Sequence, residues 1–518
     1  MMRKYYLLWA VFFFGLYNVS AQPRIIPDSI AAHVEFIQNQ KLSAKEYILN
    51  LFNKYDIVIF CERTHDELTQ YELLVDLFSD NRFQEQVGDI FMEMGGSHYD
   101  KQINDYLLAE NLSQEQSIQK ALEIQRNAMW YPLWERYNYH YLLTSLYDIN
   151  RSLSIDKKIK LHPTDIAVDW EEIVTAADIQ TKIYNYDVQS GRDSVMGNTI
   201  VSYIARNDAS SAGRKKYFLI LNSAHATKGV WSFGRFRAKS AATYVFERFG
   251  ERVANVLVNF ENTAGMYNTV IGLPEVLPIL NGKLDAAFEL LGTDDRGFDI
   301  IGSPLEGKRF ENMAMEDSTL TNEQVFTGFV FYKSFPKHEH VNGVPDIVDA
   351  AFKPELKRRF QLWGAITGSF LLDKELENAN FIVKKNPEGL TTYWQRVMYW
   401  IGGGKQIYSF YRTAKSLDET ISFIRQEIAK GSNSDYDVSE TGINTFGYTL
   451  LNQGKLDAAT TVLKLNVELH PNSWNTHDSY GEALLKTDRK KEAVEAYKKS
   501  LELNPDNENA KKVLQEFE

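Results

Sequence analysis

Between residue 23 and about residue 411, short apolar runs bounded by polar turns alternate with longer stretches whose apolar residues recur at helical spacing. Few folds accept that alternation, because each apolar run must be covered on both faces by the helices that flank it in sequence. Six runs predict strands, at residues 56–61, 89–93, 158–161, 217–222, 253–260 and 327–332. Residues 69–78, 103–147 and 196–205 carry the helical spacing with few breakers. The expected fold class is therefore α/β, an open mostly parallel sheet with helices on both faces, followed by an all-α repeat domain.

The repeat domain shows as self-similarity. A shift of 34 residues places Gly447 on Gly481, Leu450-Leu451 on Leu484-Leu485, Ala459 on Ala493, Glu468-Leu469 on Glu502-Leu503 and Pro471 on Pro505. Small residues let the two helices of a unit approach closely, and each proline ends a helix by lacking a backbone donor. These units resemble tetratricopeptide repeats, at 439–518 with a capping helix. Residues 346–438 read as a helical connector, whose stretch 417–430 is expected to pack in front of the repeats. Two readings of the repeats stay open, a groove for a protein partner and a buttress on the main domain.

Composition narrows the partners and the setting. The formal charge of -12, from 57 Lys and Arg against 69 Asp and Glu, argues against nucleic acid or anionic lipid as a partner for the whole molecule. Arg3 and Lys4 precede an apolar run of 13 residues, 5–17, and then Val19-Ser20-Ala21, the pattern of a secretory signal cut after Ala21. That run is too short to span a bilayer, for which about 20 residues are needed. Residues 1–21 are thus expected to be a signal peptide, the main domain to occupy 22–345, and the protein to be exported, periplasmic or secreted. With Cys61 as its single cysteine, it forms no internal disulfide.

Polar residues cluster where the apolar runs stop. The first run is followed by Glu62 and His65, the second ends in Glu93, the third leads into His162 and Asp165, and the fourth into Asn222 and His225. In an open parallel sheet these ends share one edge, where ligand sites form. If a helix began directly after Cys61, the spacing of three would set Glu62 beside His65 on its first turn, where a carboxylate fixes the imidazole tautomer and makes the ring a base for water. The aromatic group Trp130, Tyr131, Trp134, Tyr137, Tyr139 and Tyr141 lies on the long helical excursion and is read either as a lid over the crevice or as core.

The segment 60–67, Phe-Cys-Glu-Arg-Thr-His-Asp-Glu, resembles the Gly-Glu-x-x-His motif of the erythromycin esterase-like family, within the wider Tiki and haem-uptake fold superfamily. In the same order, Phe91-Met92-Glu93 resembles its second acidic strand end, Arg192-Asp193 through Asn198 its Arg-Asp-x-x-Met-x-x-Asn helix start, and Ala224-His225 its Ala-His-Asn segment. The likeness covers about residues 43–334. It implies ester hydrolysis by histidine-activated water, with macrolide lactones the family's known case. By position, His65 would be the general base, Glu62 its orienting partner, Glu93 a second catalytic carboxylate and His225 a donor to the oxyanion. Asp165, Arg192 and Asn222 would contact substrate, a small-molecule or glycan ester. The sequence departs from the family pattern at Cys61, Leu74, Thr227 and Lys228. The expectation is a hydrolase with no cofactor. Two alternatives stay open: a metal-dependent hydrolase with Mn or Zn on Glu62, His65, Glu93 and His225, and a noncatalytic binding protein of the haem-uptake type.

Overall fold

The computed structural model describes residues 26–184, 191–210, 213–233, 236–260, 262–263, 276–277, 279–310, 315–368, 376, 378–385, 387, 390–401, 405–430, 434, 436–505 and 507–515. The expected signal peptide, 1–21, lies outside the described residues. Seven strands make the main sheet: β1 (Ile57–Glu62), β2 (Val87–Gly96), β3 (Lys160–Asp165), β4 (Lys216–Asn222), β5 (Val253–Val258), β6 (Asp295–Asp299) and β7 (Gly328–Tyr332). Their order is β6-β7-β5-β1-β4-β2-β3, and only the β6–β7 pair is antiparallel.

The longer helices of this part are α1 (Asp28–Asn39), α2 (Ala44–Leu51), α3 (Thr69–Phe78), α4 (Asp100–Leu107), α5 (Gln114–Asn127), α6 (Tyr137–Arg151), α7 (Gly191–Ala209), α8 (Ala241–Phe249) and α9 (Lys283–Leu291). Successive strand residues point to opposite faces, so β1 feeds two cores. Val58 and Phe60 join Phe218, Val256 and residues of α2 to α6. Ile57, Ile59 and Cys61 join Leu219, Leu257 and residues of α1, α7, α8 and α9. Cys61 is a free, buried thiol whose pKa burial pushes up, so it stays protonated and acts as core.

Several elements differ from the sequence expectation. No helix begins after Cys61: β1 runs through Glu62, residues 63–68 form an irregular loop, and α3 starts only at Thr69. β2 extends to Gly96 and β3 to Asp165, so Glu93 lies inside its strand rather than at its last position, and His162 and Asp165 lie within β3 rather than beyond it. Pro163 is tolerated because β3 is the outermost strand of its side. The stretch 103–147 divides into α4, α5 and α6, with a capping box at Ser113 opening α5. Pro132 falls in the nonhelical segment that follows it, so the aromatic cluster begins off any helix. β6 was not legible, since Asp-Arg-Gly-Phe-Asp has no apolar run. It forms because Gly297 and Gly328 leave room for the Tyr47 ring, whose hydroxyl donates to Asp299 at 2.7 Å.

The connector holds α10 (Lys353–Thr367), α11 (Leu390–Ile401) and α12 (Leu417–Ala429). α10 buries Leu356 and Phe360 against Leu122 and Leu133, and Trp363 against Ile166 and Trp170. α11 places Tyr393, Val397 and Trp400 in the core beneath β1. Beyond it come α13 (Glu440–Asn452), α14 (Leu456–Leu469), α15 (Trp474–Lys486), α16 (Lys490–Leu503) and α17 (Glu508–Gln515). Gly447 lies against Leu463 and Gly481 against Tyr497 so closely that a Cβ at either would collide. Ile407 and Ile424 pack on Ile443 and Phe446, which puts α12 in front of the repeat helices as expected. None of the helices among the described residues is long and apolar enough to cross a membrane.

Candidate functional site

The carboxyl ends of β1, β2, β3 and β4 meet at one edge, and the structure brings the seven expected residues together there. Register places Glu62 of β1 beside Asn222 of β4. On the other flank of β4, the β2–β3 pairing shifts register between Met92 and Gly96, which is where Glu93 projects. His65 sits in the loop after β1, His225 in the short helix after β4, and Arg192 at the start of α7.

Each imidazole is held by a carboxylate on Nδ1. His65 Nδ1 lies 3.1 Å from Glu62 Oε2, and His225 Nδ1 lies 2.8 Å from Asp193 Oδ1. An ionised carboxylate only accepts, so both rings carry a proton on Nδ1 and turn Nε2 outward. The two Nε2 atoms converge on one oxygen, Glu93 Oε1, at 3.8 Å from His65 and 3.5 Å from His225. Glu93 is itself fixed: Oε2 accepts the backbone N–H of Asn222 at 2.8 Å, and Oε1 accepts from Arg192 Nη2 at 2.9 Å.

Further hydrogen bonds hold these carboxylates and the arginine in place. Glu62 Oε1 accepts the hydroxyls of Tyr71 at 2.7 Å and Tyr139 at 2.9 Å. Asp193 accepts the backbone N–H of Ala241 and the indole N–H of Trp231. Arg192 donates from Nε and Nη2 to Asp165, whose Oδ2 also accepts the Trp130 indole N–H at 2.8 Å. Asn222 donates its side-chain amide to the Arg63 carbonyl, tying the β4 end to the loop that carries His65. Arg63 in turn is buried and donates to Glu67 and Asn259.

The charges shift one another strongly. Burial alone would lower the pKa of His65, but the charge and hydrogen bond of Glu62, with Glu93 behind them, outweigh it and raise the value above the ordinary one. Burial likewise opposes the proton on His225, and Glu93 and Asp193 overcome it, against Arg192 Nη1 at 3.2 Å from Nε2. Glu93 moves the other way: burial would raise it, yet His225, Arg192 and His65 lower it to about 2. The site opens at His65, whose side chain is 28% exposed against 12% for His225 and 14% for Arg192.

Not every expected role matches its place. Asp165 is fully buried under Arg192 and Trp130, so it supports the arginine rather than facing a ligand. Asn222 spends both its backbone N–H and its side-chain amide on Glu93 and Arg63. Asp193, next to Arg192 in sequence, pairs with His225 instead. Tyr71 and Trp231 carry no sequence signal as site residues, whereas Trp130, Trp134 and Tyr139 belong to the aromatic group read as lid or core. Trp134 meets the His65 ring edge-on at 5.5 Å, and Trp231 stands 6.3 Å from His225. The aromatic cluster therefore does both things the sequence left open, with Tyr139 in the core and Trp130 and Trp134 walling the site. Leu74, where the family pattern has arginine, is wholly buried in the core with Tyr71 and Phe218.

Manganese or zinc on Glu62, His65, Glu93 and His225 was the open alternative. Among the described residues no group of three or more His, Cys, Asp or Glu is placed to hold a metal ion. The Arg192 guanidinium contacts both Glu93 and His225, so a cation shared by them would meet a positive charge.

Residues 474–507 match the tetratricopeptide repeat family model. No curated protein matches the chain in sequence. Among solved structures, a mutant of erythromycin esterase EreC in its open conformation is similar at 13% identity, covering 59% of this chain and 96% of that one, with a TM-score of 0.37. A Bacillus cereus protein is similar at 11% identity over 57% of this chain and 96% of its own, with a TM-score of 0.34. The first tetratricopeptide repeat domain of Spaghetti (RPAP3), bound to the HSP90 peptide SRMEEVD, is similar at 22% identity over 21% of this chain and 86% of that chain, with a TM-score of 0.16.

Proposed function

We propose that this site hydrolyses an ester or lactone with water activated on His65, without a metal and without a covalent enzyme intermediate. The observation that carries the reading is the convergence of two carboxylate-held imidazoles on Glu93 Oε1, beside the Arg192 guanidinium. Water lying against His65 Nε2 gives its proton to that atom as its oxygen attacks the ester carbonyl. Glu62 stabilises the imidazolium through Nδ1, and Glu93 orients the water. The tetrahedral oxyanion is met by the proton on His225 Nε2 and by Arg192. On collapse, the alkoxide leaves with the proton held by His65, yielding one carboxylic acid and one alcohol from an ester, or one hydroxy acid from a lactone. The aromatic wall of Trp130 and Trp134 suits a small-molecule or glycan ester with an apolar face.

Hydrolysis of a panel of p-nitrophenyl esters and lactones tests this. The expected result is turnover that survives chelator and falls by about 10²-fold or more in His65→Ala, the range for loss of a general base. Turnover abolished by chelator and restored by manganese or zinc would replace the reading with a metal-dependent one. Absence of turnover on every ester would replace it with a binding protein.

The export of the chain and a protein partner for the repeats belong to the same proposal. Residues 1–21 act as the signal, so the amino terminus of protein recovered outside the cytoplasm should read Gln22. Recovery of a chain still beginning at Met1 would sink that expectation.

A further inference from the structure

The carboxylates at the candidate site are held by two kinds of donor. Glu93 and Asp165 share the Arg192 guanidinium. Glu62 and Asp193, which each hold an imidazole, take only uncharged partners besides it among the described residues. On Glu62 these are the Tyr71 and Tyr139 hydroxyls, and on Asp193 the Trp231 indole and the Ala241 backbone N–H. A cation on Glu62 would draw off the negative charge that steadies the His65 imidazolium, whereas a phenol supplies a hydrogen bond and no charge.

The tyrosine pair is rigidly built. Tyr71 is the third residue of α3 and Tyr139 the third of α6, so two separate helices deliver hydroxyls to one oxygen, Glu62 Oε1. Both rings belong to the core that contains Leu74, Leu142 and Phe218. They meet edge to face, with centroids 5.4 Å apart and planes at 71°. Burial and the Glu62 charge push both phenols well above their ordinary pKa, so each keeps the proton it donates.

Tyr139 makes a second contact. Its oxygen lies 3.1 Å from His65 Nδ1, the same distance as Glu62 Oε2. The Tyr139 proton goes to Glu62, which only accepts, so the phenol oxygen is left to accept a share of the Nδ1 proton. One ring nitrogen is thus gripped by two acceptors that are bonded to each other, and His65 cannot swing away without breaking both.

We propose that Tyr71 and Tyr139 are positioning residues, whose hydroxyls lock the Glu62 carboxylate with Oε2 on His65 Nδ1 and so aim His65 Nε2 at the space beside Glu93. Their catalytic consequence rests on the hydrolase reading, because a fixed Nε2 is what places water for attack. Both hydroxyls are spent on Glu62, so neither binds substrate. With one tyrosine removed the carboxylate keeps an anchor on Oε1. With both removed it can turn and release the ring, so the two losses compound.

The test joins kinetics on p-nitrophenyl esters to proton NMR of the hydrogen-bonded imidazole N–H groups, in Tyr71→Phe, Tyr139→Phe and the double variant. Phenylalanine keeps each ring in the core, and circular dichroism checks that the fold survives. The expected fall in kcat is about threefold in each single variant and about 10²-fold in the double, where independent effects would give only about tenfold. KM should stay within about twofold, as for groups that do not bind substrate. The His65 Nδ1–H resonance, identified by its loss in His65→Ala, should shift and broaden in the double variant while that of His225 stays in place. A His65 resonance identical in wild type and double variant overturns the proposal, whatever the kinetics. Equal displacement of both resonances also overturns it, by making the tyrosines general supports of the core. Movement of the His65 resonance alone, with no ester turned over by the wild type, would sink the hydrolase reading and leave the tyrosine assignment standing.

Discussion

Glu93→Gln is expected to lower kcat for ester hydrolysis by about 10²- to 10³-fold while leaving the protein folded, within the range for loss of a positioned acid–base group. Glutamine keeps an oxygen to accept the Asn222 N–H and fills the same space, so the change removes charge more than structure. That charge raises the pKa of both His65 and His225. In the wild type, His65 must be neutral to take a proton, so activity falls as pH drops below its raised value. His225 must be protonated to donate, so activity falls again as pH climbs past its own raised value. The expected pH profile of kcat/KM is a bell with both limbs above the ordinary imidazole value of about 6.5. In Glu93→Gln both limbs should move to lower pH. A merely structural role for Glu93 would reduce activity without moving the limbs, and that outcome would remove it from the proposed mechanism.

The second large effect is on stability. Asp165→Ala should destabilise the protein by about 3 kcal/mol, the scale for removing one partner of a buried ion pair. Arg192 directs Nε and Nη2 to this carboxylate, and Asp165 has no exposed surface. The indole N–H of Trp130 and the backbone N–H of Ile166 lose an acceptor as well. Asp165→Asn retains an oxygen for one of these donors and should cost less. Urea unfolding followed by tryptophan fluorescence checks the order. A midpoint for Asp165→Ala unchanged from wild type would mean that Glu93 alone satisfies the arginine.

The alternation of apolar runs and helical spacing determined the layered sheet, because each strand of a parallel sheet is buried on both faces and its sequence has little freedom. The same rule located Glu62, Glu93 and His225, since a charged residue next to an unbroken apolar run must lie where the sheet ends. Repetition at 34 residues was equally legible, as the close approach at Gly447 and Gly481 forbids larger side chains. Such features are local: each depends on residues within one strand, one helix turn or one repeat.

What the tertiary structure decided is which partner each charge takes. Tyr139 reaches Glu62 from 77 residues away and Tyr71 from the next helix, and neither spacing carries a signal. Asp193 adjoins Arg192 in the chain but faces His225, because the first turn of α7 points successive side chains in different directions. β6 exists because two glycines receive Tyr47, a fit that no residue of β6 announces. Sequence determined the edge on which polar groups collect, because burial acts on each residue by itself. The spacing of three already paired Glu62 with His65, but only folding decided that Asp193 holds His225, because that choice depends on distances between segments far apart in the chain.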